Sequence, residues 1–306
     1  MKIRFLRQRS CRRDMESASS RGGDIVGNDK ASFAVSHFQT VVCFAFGFFL
    51  SRLFLDRFVF HRIAVWLLST GSSPLKLNDA TRVKIIKCKE SLWKLLYYAG
   101  CEIFVLRLVY QEPWFGDIKL YFDGWPNQEL KSSLKLYYMC QCGFYVYSVA
   151  ALVAWETRRK DFAVMMSHHI ITIILIGSSF LVGIGSIILA IHDASDVFME
   201  SAKIFKYSGK ELGASVCFGL FAISWFLLRL VYFPFWIIRA TSELLAYLDM
   251  TSVKGTLMYY GFNTMLLMLL VFHIYWWYLI YAMIMRQLQN RGKVGEDIRS
   301  DSEDDD

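Results

Sequence analysis

The chain has 306 residues, of which 55% are hydrophobic and 16% aromatic, with a mean hydropathy of +0.34 and a formal charge of +7. Apolar runs longer than the roughly 18 residues that mark a membrane span exclude an ordinary soluble domain. The positive charge does not indicate a nucleic-acid partner, because the basic residues sit between the apolar runs, as the positive-inside rule arranges them in a membrane protein.

Residues 1–34 are polar and basic and are expected to be a disordered tail. Seven spans are predicted near 35–55, 92–111, 133–154, 162–182, 186–205, 213–236 and 257–285. The first has no small-residue cleavage pattern behind it and reads as an anchor. The stretch 57–70, RFVFHRIAVWLLST, is too short and too charged for a span of its own and is expected in the interface. The polar end, 286–306, closes on SDSEDDD. Among the seven cysteines, Cys140-x-Cys142 has no second pair, so neither a zinc site nor a disulfide framework is indicated.

The connections orient the spans. Lys76, Arg82, Lys84, Lys87, Lys89 and Lys94 precede or begin the second span, Arg158, Arg159 and Lys160 separate the third and fourth, and Lys203, Lys206 and Lys210 separate the fifth and sixth. The intervening connections are neutral or balanced, so the basic side is cytosolic, the N-terminus lumenal and the C-terminal tail cytosolic. Six basic residues within 1–13 oppose this; translation from Met15 would remove the conflict.

Ionisable residues inside spans are costly and are functional candidates. The fourth span, opening RRKDFAVMMSHHIITII, holds adjacent His168 and His169, with Thr172 one turn on from His168. The fifth, ILAIHDASDVFMESAKIFKY, holds His192, Asp193, Asp196, Glu200 and Lys203; the last four fall at i, i+3, i+7 and i+10, one helix face. His169 lies 15 residues before the turn at Ile184 and Asp196 lies 12 after it. At about 1.5 Å per residue these are depths of roughly 22 and 18 Å, so the pair is expected at similar depth. Glu102, Arg107, Gln141, Asn263 and His273 read as structural polar residues, and HIYWWYLIY (273–281) as an interfacial aromatic belt plus packing.

The stretch from RRKDFAVMMSHHIITIIL through ILAIHDASDVFMESAKIFKY resembles the ceramide synthases, the longevity-assurance branch of the TLC-domain superfamily. Its basic-Lys-Asp start, His pair followed by Thr, His-Asp-x-Ser-Asp and Glu-x-Ala-Lys match the family motif. NDATRVKIIKCKESLWKLLYY, the WPNQ turn at 125–128 and the tail GKVGEDIRSDSEDDD look like plant members. The connection SSFLVGIGS departs from the pattern, being shorter than is usual in the family and lacking a basic residue.

The resemblance implies an all-α integral membrane protein of about seven spans, six of them bundled around an intramembrane site. Its organisation would be the tail 1–34, an anchor with interfacial segment over 35–70, a TLC catalytic domain over 71–285 and a cytosolic acidic tail over 286–306. It implies an endoplasmic-reticulum N-acyltransferase that takes a fatty acyl-CoA and a sphingoid long-chain base, with no cofactor beyond the acyl-CoA co-substrate, and it is compatible with a homo- or hetero-dimer. It places His168, His169, Asp193 and Asp196 in the active site. Thr172, His192 and Glu200 are further candidates for substrate contact, and Arg158, Arg159 and Lys160 for the CoA phosphates.

Amide formation from a thioester requires an ammonium to lose a proton and a carbonyl to carry transient negative charge. A histidine can act as base or attack the thioester, and a carboxylate can hold its tautomer. His168 is the expected reacting ring, His169 the supporting one, and Asp193 or Asp196 the orienting carboxylate. Two other classes remain: a non-catalytic, receptor-like TLC-type protein, which has no need of this constellation, and a metal-dependent membrane lipid hydrolase.

Overall fold

The computed structural model describes residues 36–69, 78–110, 112, 131–156, 159–179, 184–243, 253–290 and 295. The N-terminal tail with Met15, the WPNQ turn, Gly183 and most of the acidic C-terminal tail lie outside the described residues.

Seven long helices appear among the described residues, one for each predicted span: α1 (Ser36–Ser69), α2 (Asp79–Val109), α3 (Ser132–Ala154), α4 (Phe162–Ser179), α5 (Ile184–Tyr207), α6 (Glu211–Glu243) and α7 (Val253–Gln289). No β-strand occurs among the described residues. Five of the seven, α1, α3, α4, α6 and α7, are long and apolar enough to cross a membrane. α2 and α5 carry too many charges for that criterion. They pack most extensively on each other, and α5 also packs closely on α6, so the two charged helices are neighbours within the bundle. This is the arrangement lipid demands of polar stripes. Elsewhere large apolar side chains point outward, among them Phe38, Leu53, Ile103, Phe235 and Val271, as they must where the surroundings are hydrocarbon.

The expected interfacial segment is not separate. α1 runs without a break for 34 residues and widens to π-helical hydrogen bonding over Asp56–Phe60. The charges within that stretch, Arg57 and Arg62, are exposed on the helix surface, and the charges just before it are paired: Asp56 meets Lys89 of α2 at 2.7 Å, and Arg52 lies one turn back at 3.6 Å. Thirty-four residues rise roughly 50 Å, more than the ~30 Å hydrocarbon core, so one end of α1 reaches the interface as part of the same helix. Gly143 of α3 lets α1 approach, since a Cβ there would stand 2.6 Å from Phe44 Cβ.

Local chemistry sets other boundaries. Asn78 caps α2 by accepting the Thr81 N–H at 2.9 Å. In α6 the hydrogen bonding is π-helical over Phe226–Ile238, around Pro234, which has no N–H to donate. At the turn end of the α4–α5 hairpin, Gly185 admits Ser179 and Tyr138 so closely that a Cβ would meet the tyrosine hydroxyl at 2.6 Å. Contacts between α4 and α5 are otherwise sparse. The two helices meet at their turn and leave room between their opposite ends.

Candidate active site

That room is a cavity of about 980 Å³ when the solvent it opens to is counted. Each of α2 to α7 contributes to its wall and α1 does not, as expected of six helices around an intramembrane site. The basic connection borders one end. There Lys94 of α2 donates to Glu90 at 2.7 Å and to Glu156 at 3.0 Å, and Arg159 forms a two-pronged pair with Asp161 at 3.0 and 2.9 Å. His168 lies 7 residues past Asp161, roughly 10 Å deeper.

Of the residues singled out from the sequence, Arg159, His168, His169, Asp196 and Glu200 line this cavity. His169 and Asp196, expected at similar depth, border one space from two helices. His168 is buried, its ring edge-on to Trp276 at 5.2 Å between centroids and 6.2 Å from His192. His169 turns its ring edge-on to Tyr145 at 5.4 Å. Nδ1 of each ring is buried without a hydrogen-bond partner. The Thr172 hydroxyl donates to the backbone carbonyl of His168 at 2.8 Å, closing one turn of α4 rather than touching a ring.

Thr172 and His192 line a second, narrow and mostly apolar pocket, about 360 Å³ when the space it opens to is counted, with Leu175, Ile176, Ile188 and Leu269. Tyr145 borders both spaces. His192 is locked: its Nδ1 lies 2.5 Å from the Ile188 carbonyl, which only accepts, so that nitrogen carries the hydrogen. In a neutral ring Nε2 then accepts, and His273 Nε2, 2.8 Å away, must donate. His273 is thus not an isolated structural residue but the partner of His192, fully buried and with its own Nδ1 unpaired.

Asp193 lines neither space. Its Oδ2 accepts from Gln141 Nε2 at 2.6 Å, while Gln141 also accepts from Tyr97 at 2.6 Å and donates to Tyr137 at 2.9 Å. Gln141, read from the sequence as a single structural amide, joins α2, α3 and α5. Among the described residues no hydrogen bond runs from Asp193 or Asp196 to His168 or His169, so the expected orienting carboxylate is not seated on either ring. Lys160 is exposed and absent from the wall, and Arg158 lies outside the described residues.

The sequence reading missed Arg229. It lies in the π-helical part of α6, 3% exposed, where its Nη2 donates to the His192 carbonyl at 2.7 Å and to Asp196 Oδ2 at 3.1 Å. Its guanidinium stacks 3.9 Å over Trp225. The signal was present, as an ionisable residue in the apolar run FLLRLVYFPFW. Within the belt-and-packing run, Trp276 belongs to the packing: it is 4% exposed and donates from Nε1 to Asp161 at 3.0 Å, a bond with no sign in the sequence, while Tyr278 faces outward.

Comparison with known proteins bears on what this cavity does. The TLC domain family pattern matches residues 87–282. Ceramide synthase LOH2 of Arabidopsis thaliana is 78% identical over 297 residues, 95% of this chain and all of that protein. ASC1-like protein 3 of Oryza sativa subsp. japonica is 58% identical over 279 residues, 89% of this chain and 97% of its own. Ceramide synthase 3 of Homo sapiens is 31% identical over 230 residues, 74% of this chain and 58% of its own.

Proposed function

We propose, from the premise that the chain belongs to the TLC-domain family and within it to the ceramide synthases, that it transfers a fatty acyl group from acyl-CoA to the amine of a sphingoid long-chain base. The observation that carries this reading beyond family membership is the convergence of His168 and His169 of α4 with Asp196 of α5 on one cavity wall built by six helices. A non-catalytic member has no use for two histidines, a carboxylate and a buried arginine at one depth, because each is expensive in a membrane.

In the proposed reaction the cavity receives the amine and the thioester from its charged end. His168 removes a proton from the ammonium or attacks the thioester carbonyl; in either route the nitrogen of the amine finally bonds the carbonyl carbon and the thiol of CoA leaves. His168 is favoured because Trp276 and His192 flank its ring and fix its aim into the cavity. His169 supports the carbonyl oxygen. Asp196 acts through Arg229, whose charge it holds beside the site. The apolar pocket past Thr172 and His192 suits hydrocarbon. CoA phosphates would sit at the basic connection, on Lys160 and Arg158 more than on Arg159, which spends two donors on Asp161. The test is amide formation by the purified protein from a panel of acyl-CoAs and two long-chain bases. The reading expects product with at least one pair and is abandoned if none forms with any.

The same proposal places the protein in the endoplasmic reticulum, with the N-terminus lumenal and the tail cytosolic. The chain contains no Asn-x-Ser/Thr acceptor, so an introduced one reports cleanly. An acceptor near residue 120 should be glycosylated and one in the C-terminal tail should not. A glycosylated tail would reverse the orientation.

A further inference from the structure

Glu200 differs from the other charged groups on the large cavity. Every cation on the wall is already engaged by a carboxylate: Lys94 by Glu90 and Glu156, Arg159 by Asp161, and Arg229 by Asp196. Glu200 uses one oxygen, Oε1, to accept from Lys203 at 2.8 Å, and Lys203 is not part of the wall. The other oxygen, Oε2, is buried without a partner on a side chain only 1% exposed. A carboxylate oxygen in that position is costly unless something donates to it. Glu200 lies four residues past Asp196 on the same face of α5, roughly 6 Å nearer the charged end of the cavity.

We propose that Glu200 Oε2 receives the ammonium head of the amine substrate and is the group that selects an amine over an uncharged lipid. This rests on the acyl-transfer reading above and names which residue of that site holds which substrate. A primary ammonium offers three donors and a positive charge, which is what an unpaired buried carboxylate oxygen lacks. The other substrate suits it less: the thioester has no donor, the pantetheine amides offer only neutral N–H groups, and the phosphates of CoA are anionic, so a carboxylate at the charged end repels one substrate and holds the other. From Glu200 the nitrogen has only to move about one helical turn inward to reach the level of Asp196.

The experiment measures KM for amine and for acyl-CoA with the purified full-length protein, its Glu200→Gln variant and its Lys203→Met variant. Glu200→Gln should raise the amine KM about 10- to 100-fold, the worth of a hydrogen bond to a charged group, with little change in the acyl-CoA KM. Lys203→Met strips a buried carboxylate of its counter-ion and should lower the melting temperature, but, because Oε2 stays in place, it should leave the amine KM within a few-fold of the native value. Equal losses in the two variants would make the Glu200–Lys203 pair merely structural and overturn the proposal, as would an unchanged amine KM in Glu200→Gln. If Glu200→Gln does not accumulate, the native protein decides: a long-chain ammonium amphiphile should compete with the amine at least about tenfold better than the alcohol of equal chain length, and equal competition overturns the assignment. A native protein that forms no amide at all would instead sink the acyl-transfer reading itself.

Discussion

Replacing Asp196 by Asn is expected to cost the bundle about 3–5 kcal/mol, because it strips the anion from a buried cation. Arg229 is 3% exposed, whereas the Asp196 side chain is 19% exposed and borders the cavity. Without Asp196 the guanidinium keeps only the His192 carbonyl at 2.7 Å and the face of Trp225. Replacing Arg229 by Met leaves the opposite residue, a carboxylate on the wall of an open space, and should cost less. Thermal denaturation in detergent should rank native protein above Arg229→Met and Arg229→Met above Asp196→Asn. The double variant, which buries no lone charge, should regain part of the stability lost by Asp196→Asn, but none of the three should regain acyl transfer. An Asp196→Asn protein that melts like the native one would mean that the pair does not hold α5 to α6.

The histidine pair and the α5 stripe were legible because each is periodic within one helix, and helical period is what a sequence states most directly. Glu200 and Asp196 fell on one face by that count and line one cavity. Asp193 obeys the same count yet misses it: seven residues before Glu200 is roughly 10 Å deeper, where Gln141, held by Tyr97 and Tyr137, donates to one oxygen of its carboxylate. Periodicity gives a face but not how far along that face the neighbouring helices stay apart. Arg229 was missed for a related reason. Its neighbour by helical period, Trp225 four residues back, reads as an ordinary apolar residue, and its polar contacts, Asp196 and the His192 carbonyl, lie 33 and 37 residues away. Trp276 sits in a run so aromatic that composition reads as belt and packing alike, and only the packing of α4 against α7 tells the buried indole from its outward neighbours. The continuity of α1 was hidden because Arg57 and Arg62 interrupt the apolar run, although both sit exposed on the surface of one unbroken helix.

The fate of His168 decides the account. It stands on the cavity wall with its ring edge-on to Trp276, and Nδ1 has no competing partner among the described residues. Ser167, the preceding residue, is exposed on the other side of α4 and hydrogen-bonds only to the Ala163 carbonyl, so Ser167→Ala is a control of equal sequence position and no catalytic consequence. The direct measurement is the rate of amide formation from saturating acyl-CoA and long-chain base by purified native, Ser167→Ala, His169→Ala and His168→Ala proteins, each first shown to enter the membrane and to melt normally. An unchanged rate is expected for Ser167→Ala and a loss of about 100-fold or more for His168→Ala, as when a base or nucleophile is removed. A His168→Ala protein that turns over near the native rate would contradict the account.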